Sequence, residues 1–153
     1  MTARLQPGDR APDFTLSDQS GQPVPLSSFQ GRRALVYFYP KADTPGCTAQ
    51  ACGLRDVLAD VGTTAVVGIS PDPPKRQAAF DTKYGLGFPL LSDADHAVAE
   101  AYGVWVEKSM YGRTYMGMER STFVISPEGV ITHVFRKVKP AEHDRLVLDA
   151  LAA

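Results

Sequence analysis

No apolar run in this chain approaches the roughly 20 residues that a membrane-spanning helix needs. The first eight residues, Met1-Thr2-Ala3-Arg4-Leu5-Gln6-Pro7-Gly8, also lack the apolar stretch of a secretory signal, so the expected compartment is the cytoplasm. Charge of one sign is missing too. A formal net charge of −1 offers no electrostatic case for nucleic acid or for an acidic membrane surface. There is no internal repeat, low-complexity tract or charge block. The proline-rich spots Pro23-Val24-Pro25 and Pro71-Asp72-Pro73-Pro74 read as turns, not linkers. With 153 residues, 44% of them hydrophobic and 22% charged, the expectation is a single domain over 1–153 built on one core. Cysteine is scarce and informative. The only two are Cys47 and Cys52, five positions apart. In the cytoplasm structural disulfides are rare, so a close pair points to catalysis, redox sensing or metal binding.

The pattern of apolar residues supplies the frame. Phe14-Thr15-Leu16 and Val24-Pro25-Leu26 flank Ser20-Gly21 and predict a short N-terminal hairpin. Ala34 to Tyr39 is a near-continuous apolar run stopped by Pro40, which reads as a buried central strand. Leu54, Val57, Leu58 and Val61 recur at helical spacing after Cys47 and predict a helix over 47–60. Residues 64–70 read as a second buried strand, followed by a helix over 74–84 and a short strand at Phe88-Pro89-Leu90-Leu91. Asp93 or Asp95 is placed to cap a helix running to Tyr102. Residues 105–119, mixed polar and aromatic, read as a loop. Ser121–Ile125 and Val130–Phe135 predict a hairpin across Pro127-Glu128-Gly129, and a last helix covers 140–152. Strands separated by helices imply right-handed βαβ crossovers early in the chain, and the late hairpin adds antiparallel strands. The expected class is α/β: a central mixed sheet flanked by helices on both faces. The thioredoxin-like fold is one such arrangement.

Thr44-Pro45-Gly46-Cys47 puts the first cysteine in the opening turn of a helix, where unpaired backbone N–H groups and the helix dipole favour an anion. A thiolate is such an anion, and a strand-turn-helix junction exposes it for nucleophilic attack. The Thr44 hydroxyl is within three residues of the sulfur, although a threonine there also serves as an ordinary turn or cap residue. On a regular helix Cys52 lies about 140° around and about 7.5 Å along the axis from Cys47. A disulfide needs Cα atoms within roughly 7 Å and converging side chains, so bonding would require the first turns to unwind. On position alone, Cys52 is as readily a packing residue as a partner. Zinc is a poor reading, because His96, His133 and His143 are scattered without ligand-pair spacing. A thioredoxin-type dithiol is equally poor, since Cys-x-x-Cys is absent. Pro40 reads as a strand terminator, Arg120 as a surface ion-pair residue and Trp105 as a core-edge residue. Met110, Tyr111, Tyr115, Met116 and Met118 read as loop anchors or a contact surface, with an apolar approach for alkyl substrates as the lesser alternative.

The run Pro40-Lys41-Ala42-Asp43-Thr44-Pro45-Gly46-Cys47 changes those weights. It resembles the Pro-x-x-x-Thr/Ser-x-x-Cys motif of the peroxiredoxins, and the second cysteine five residues on resembles their Q subgroup, the bacterioferritin comigratory proteins. Gly8-Asp9-Arg10-Ala11-Pro12-Asp13-Phe14, Phe38-Tyr39-Pro40-Lys41, Gly68-Ile69-Ser70, Leu91-Ser92-Asp93, Tyr102-Gly103-Val104-Trp105 and Glu119-Arg120-Ser121-Thr122-Phe123-Val124-Ile125 extend the likeness over nearly the whole chain. The resemblance implies a thioredoxin-like (peroxiredoxin) fold and a thiol peroxidase acting on hydrogen peroxide and alkyl hydroperoxides. It implies that Cys47 is the peroxidatic cysteine and Cys52 the resolving one, with Thr44, Pro40 and Arg120 completing the catalytic set. It implies an intramolecular Cys47–Cys52 disulfide recycled by thioredoxin or a similar dithiol protein, and no metal, haem or flavin cofactor. The subgroup includes monomers and dimers, and the lack of a further cysteine makes a monomer the expectation. The competing function is a peroxide-sensing redox relay that passes its disulfide to a partner protein.

Overall fold

The computed structural model of the protein describes residues 5–57, 64–139 and 142–152. Its main sheet has seven strands in the order β2-β1-β5-β4-β3-β8-β9. The centre is β3 (Ala34–Phe38), which pairs parallel to β4 (Ala65–Ser70) and antiparallel to β8 (Ser121–Ile125). β4 continues parallel to β5 (Leu90–Ser92), and β9 (Ile131–Phe135) closes one edge antiparallel to β8. The N-terminal hairpin, β1 (Thr15–Ser17) with β2 (Pro23–Pro25), borders the other edge. Asp18 Oδ1 shapes its turn by accepting from the backbone N–H groups of Ser20 and Gln22 at 2.9 and 3.0 Å.

Strand periodicity divides the core in two. Ala34, Val36 and Phe38 face one layer with Val67, Ile69, Phe123 and the helix α3 (Ala97–Ala101). Leu35, Tyr37 and Tyr39 face the other, where α1 (Pro45–Asp56), α2 (Pro74–Tyr84) and α4 (His143–Ala152) pack through Leu54, Phe80 and Val147. All five residues of β3 are buried, which is why its sequence shows no alternation of polar and apolar residues. Gly68 in β4 makes room for this packing. A Cβ there would sit 2.9 Å from the Tyr37 ring.

The expected helices, the hairpins and the buried strands are present, with shifts at their ends. Helix α1 begins at Pro45, two residues before the expected start, because proline fits the first helical position without losing a bond. Its expected extension over residues 58–60 lies outside the described residues, as do positions 140 and 141 of the last helix. The loop expected over 105–119 is a correction. That segment forms a separate two-stranded ribbon, β6 (Trp105–Met110) with β7 (Arg113–Met118). Its turn is Tyr111-Gly112, both at positive φ (53° and 75°), the backbone that a two-residue hairpin requires. Tyrosine rather than asparagine or aspartate at the first turn position hid the signal. An isolated two-stranded ribbon is marginal in water. This one is tied down at its base by buried Met118, by the His96–Trp105 ring stack at 4.1 Å and by the Glu119 N–H donating to Val104 at 2.7 Å.

Candidate active site

The site forms where β3 ends and α1 begins. Thr44 takes an extended backbone (φ −95°, ψ 155°) and Pro45 opens the helix. The first intrahelical bond runs from Thr48 N–H to the Thr44 carbonyl at 2.8 Å. The N–H groups of Gly46 and Cys47 therefore belong to the opening turn, which a helix leaves without internal acceptors. The Thr44 side chain does not cap the helix. Its hydroxyl donates to the Lys41 carbonyl at 2.8 Å, which leaves its oxygen lone pairs free to accept.

The turn that carries these residues is held from several sides. The Ala42 N–H donates to the buried Asp72 carboxylate at 2.7 Å. Asp72 also accepts from the Ser70 hydroxyl at 2.7 Å. Gln77 Nε2 donates to Ser70 and to the Leu91 carbonyl, and the Tyr39 hydroxyl donates to Gln77 Oε1. Asp43 adopts positive φ (60°), and its carboxylate accepts from Lys83 Nζ at 3.0 Å and the Tyr84 hydroxyl at 2.8 Å. At the other end of α1, Arg55 Nη1 donates to the Tyr84 carbonyl at 2.6 Å. The last turn of α2 thus grips α1 at both ends.

Cys47 is buried, with 1% of its surface exposed, and is a free thiol. Arg120 Nη1 donates to its Sγ at 3.4 Å and to Gln50 Oε1 at 2.7 Å. The two partners are 73 residues apart in sequence. The β3–β8 register explains their meeting: Phe38 pairs with Ser121, so Arg120 projects from the same sheet end as the turn that follows β3. Backbone at Arg120 is fixed by the Val138 N–H, which donates to its carbonyl at 2.9 Å. Beneath the sulfur lie buried Tyr37, Tyr39 and His143. Burial pushes both phenol pKa values up. Burial first, and then the positive charge of Arg120, lower the His143 pKa to about 3. The floor is therefore neutral, and the cation in contact with the sulfur is Arg120.

Of the sequence-predicted residues, Thr44, Cys47 and Arg120 are gathered at this junction, and Pro40 is half-buried at the end of β3. Cys52 is part of the same helix, half-buried against the core and a free thiol. Because α1 runs unbroken from Pro45 to Asp56, the folded helix keeps the two sulfurs on separate faces. Gln50 is the residue that sequence reasoning missed. It is fully buried, orients Arg120, and its Nε2 has no hydrogen-bond partner among the described residues. The available signal was its spacing: three residues after Cys47, it shares that helix face. The ribbon β6–β7 borders the site at Arg120. Val106, Lys108 and Tyr115 line a cleft that Arg120 also lines.

The family model described as AhpC/TSA matches residues 7–134. Among curated relatives, the peroxiredoxin Bcp of Escherichia coli is 52% identical over 149 residues, covering 96% of each chain. A structure of the Xanthomonas campestris bacterioferritin comigratory protein, obtained in work on its alkyl peroxide reduction, superposes with a TM-score of 0.86 at 40% identity, covering 91% and 90% of the chains. A mutant of Xylella fastidiosa PrxQ gives a TM-score of 0.91 at 32% identity over 99% and 98% of the chains.

Proposed function

Since the chain belongs to the AhpC/TSA family and is a peroxiredoxin, we propose that Cys47 is its peroxidatic nucleophile and that it reduces hydrogen peroxide and alkyl hydroperoxides. The carrying observation is the Arg120 Nη1 to Cys47 Sγ contact at 3.4 Å, at a helix start that favours an anion. The Cys47 thiolate attacks one peroxide oxygen. An S–O bond forms, the O–O bond breaks, and the second oxygen leaves with the bonding electrons and takes a proton as water or alcohol. Sulfur is oxidised by two electrons to a sulfenic acid, the first and reversible step of cysteine oxidation.

The chain's own groups lower that barrier by electrostatic preorganisation. Arg120 presents fixed N–H donors to the charge that spreads onto the leaving oxygen. The free lone pairs on the Thr44 hydroxyl accept from the peroxide O–H, and the Cys47 N–H donates to a peroxide oxygen. Pro40 has no N–H and shields the sulfur without competing for it. Losing one such donor typically costs on the order of 3 kcal/mol in the transition state.

Cys52 then attacks the sulfenic sulfur and water leaves, which closes a Cys47–Cys52 disulfide. The first turns of α1 must unwind for that step. Thioredoxin or a similar dithiol protein supplies the two electrons that reopen the disulfide. The protein works as a cytoplasmic, single-domain monomer. The test is turnover coupled to thioredoxin in wild type and both cysteine variants. Cys47→Ser is expected to lose peroxide consumption entirely. Cys52→Ser should consume one equivalent and then stop. Undiminished multiple turnover by Cys47→Ser would refute the assignment.

A further inference from the structure

Resting on the peroxidase reading, we propose that Lys108 is a specificity-determining residue, one that makes the cleft beside Arg120 favour hydroperoxides carrying a carboxylate. The cleft is lined by Lys108, Arg120 and Lys137, with Val106 and Tyr115 as its apolar flank. Lys108 reaches it from β6, opposite Tyr115 in the ribbon register. Its stem lies across Gly117, where a Cβ would sit 3.2 Å from the Lys108 Cδ and 3.3 Å from the Tyr115 ring. Glycine at that position opens the path along which the lysine runs.

The ammonium is held in an unfavourable place. Lys108 is half-buried and forms no hydrogen bond or ion pair with another described residue. Burial, and then the charge of Arg120, push its pKa down. Two carboxylates also line the cleft, Glu107 and Glu119. Glu119 is buried, accepts from the Ser121 hydroxyl at 3.0 Å and has Arg136 Nη1 at 3.9 Å. Its charge offsets part of the repulsion between Lys108 and Arg120, Glu107 is exposed, and three cations stand against these two carboxylates. The cleft therefore presents an excess of positive charge. Cations gathered at such a cost are relieved by an anionic guest, and low-dielectric walls focus the field on it. A neutral hydroperoxide gives no such relief. A carboxylate-bearing one does, while Val106 and Tyr115 accept its organic body.

The test compares matched probes on reduced protein at low ionic strength. One pair is cumene hydroperoxide and its para-carboxylate analogue, read as oxidation rates of Cys47. The other is iodoacetamide and iodoacetate, read as alkylation rates of the same sulfur. In Lys108→Met the anionic-to-neutral rate ratio is expected to fall about 10-fold in both pairs. Lys108→Arg should retain it, and high salt should erase the difference between variants. A ratio unchanged in Lys108→Met overturns the proposal. A fall confined to the alkylating pair, with neither hydroperoxide consumed by any variant, upholds the charged cleft and overturns the peroxidase reading instead.

Discussion

Replacing Gln50 by leucine should separate activity from stability. In the folded protein Gln50 Oε1 accepts from Arg120 Nη1 at 2.7 Å, and the same nitrogen reaches Cys47 Sγ at 3.4 Å. The short contact orients the guanidinium, and the long one is the contact on which the proposed peroxidase chemistry rests. A hydrogen bond to a charged group contributes about 1.5–3 kcal/mol. If most of that holds Arg120 in its working orientation, its loss raises the barrier to peroxide attack by a similar amount, roughly a 10- to 100-fold fall in rate. Stability should respond differently. Gln50 is fully buried with an unpartnered Nε2, and removing a buried unsatisfied amide recovers about 1–3 kcal/mol. Leucine has nearly the same volume, so the two contributions largely offset and the unfolding midpoint should barely move. Quenched-flow alkylation of the remaining Cys47 thiol, read by mass, follows its oxidation. Gln50→Glu, which keeps an acceptor for Arg120, should restore much of the rate. Wild-type oxidation kinetics in Gln50→Leu would refute the positioning role.

Three further outcomes are expected. His143, buried with a pKa near 3 against an ordinary value of about 6.5, gains a proton on unfolding at any pH between the two. Stability should therefore be full above about pH 6.5 and fall on acidification, by about 2 kcal/mol at pH 5. Urea midpoints across that range should show the slope in wild type and a shallower one in His143→Gln. Gly68→Ala forces a Cβ to within 2.9 Å of the buried Tyr37 ring and should destabilise by about 1–3 kcal/mol through overpacking, read as a drop in melting temperature. Tyr84→Phe removes the hydroxyl that Asp43 holds at 2.8 Å. Loosening one end of α1 by about 1 kcal/mol should speed disulfide formation about 5-fold after a peroxide pulse. Unchanged amide exchange in α1 would show that Tyr84 does not restrain it.

Much of the frame was legible because its signals are local. The apolar run of β3, the turn at Pro45-Gly46 and the helical spacing that follows all act within a few residues, so they placed Cys47 at the head of α1. The ribbon β6–β7 was not legible. Its alternation is mixed, its turn is Tyr111-Gly112, and its anchors, His96 on Trp105 and Met118 in the core, depend on packing against distant residues. Gln50 escaped notice for a similar reason. Nothing about a glutamine inside a helix identifies it until the arginine that it holds is known.

By itself, then, the sequence determined the position of Cys47 and the obstacle to its bonding with Cys52, since both follow from the turn chemistry and helix geometry of residues 40–56. Only the tertiary structure decided which charges face the sulfur. Arg120 arrives through the pairing of β3 with β8, and Lys108 joins the cleft beside it from the ribbon β6–β7. Electrostatic fields depend on distance in space, and strand register sets that distance between residues that the chain keeps far apart.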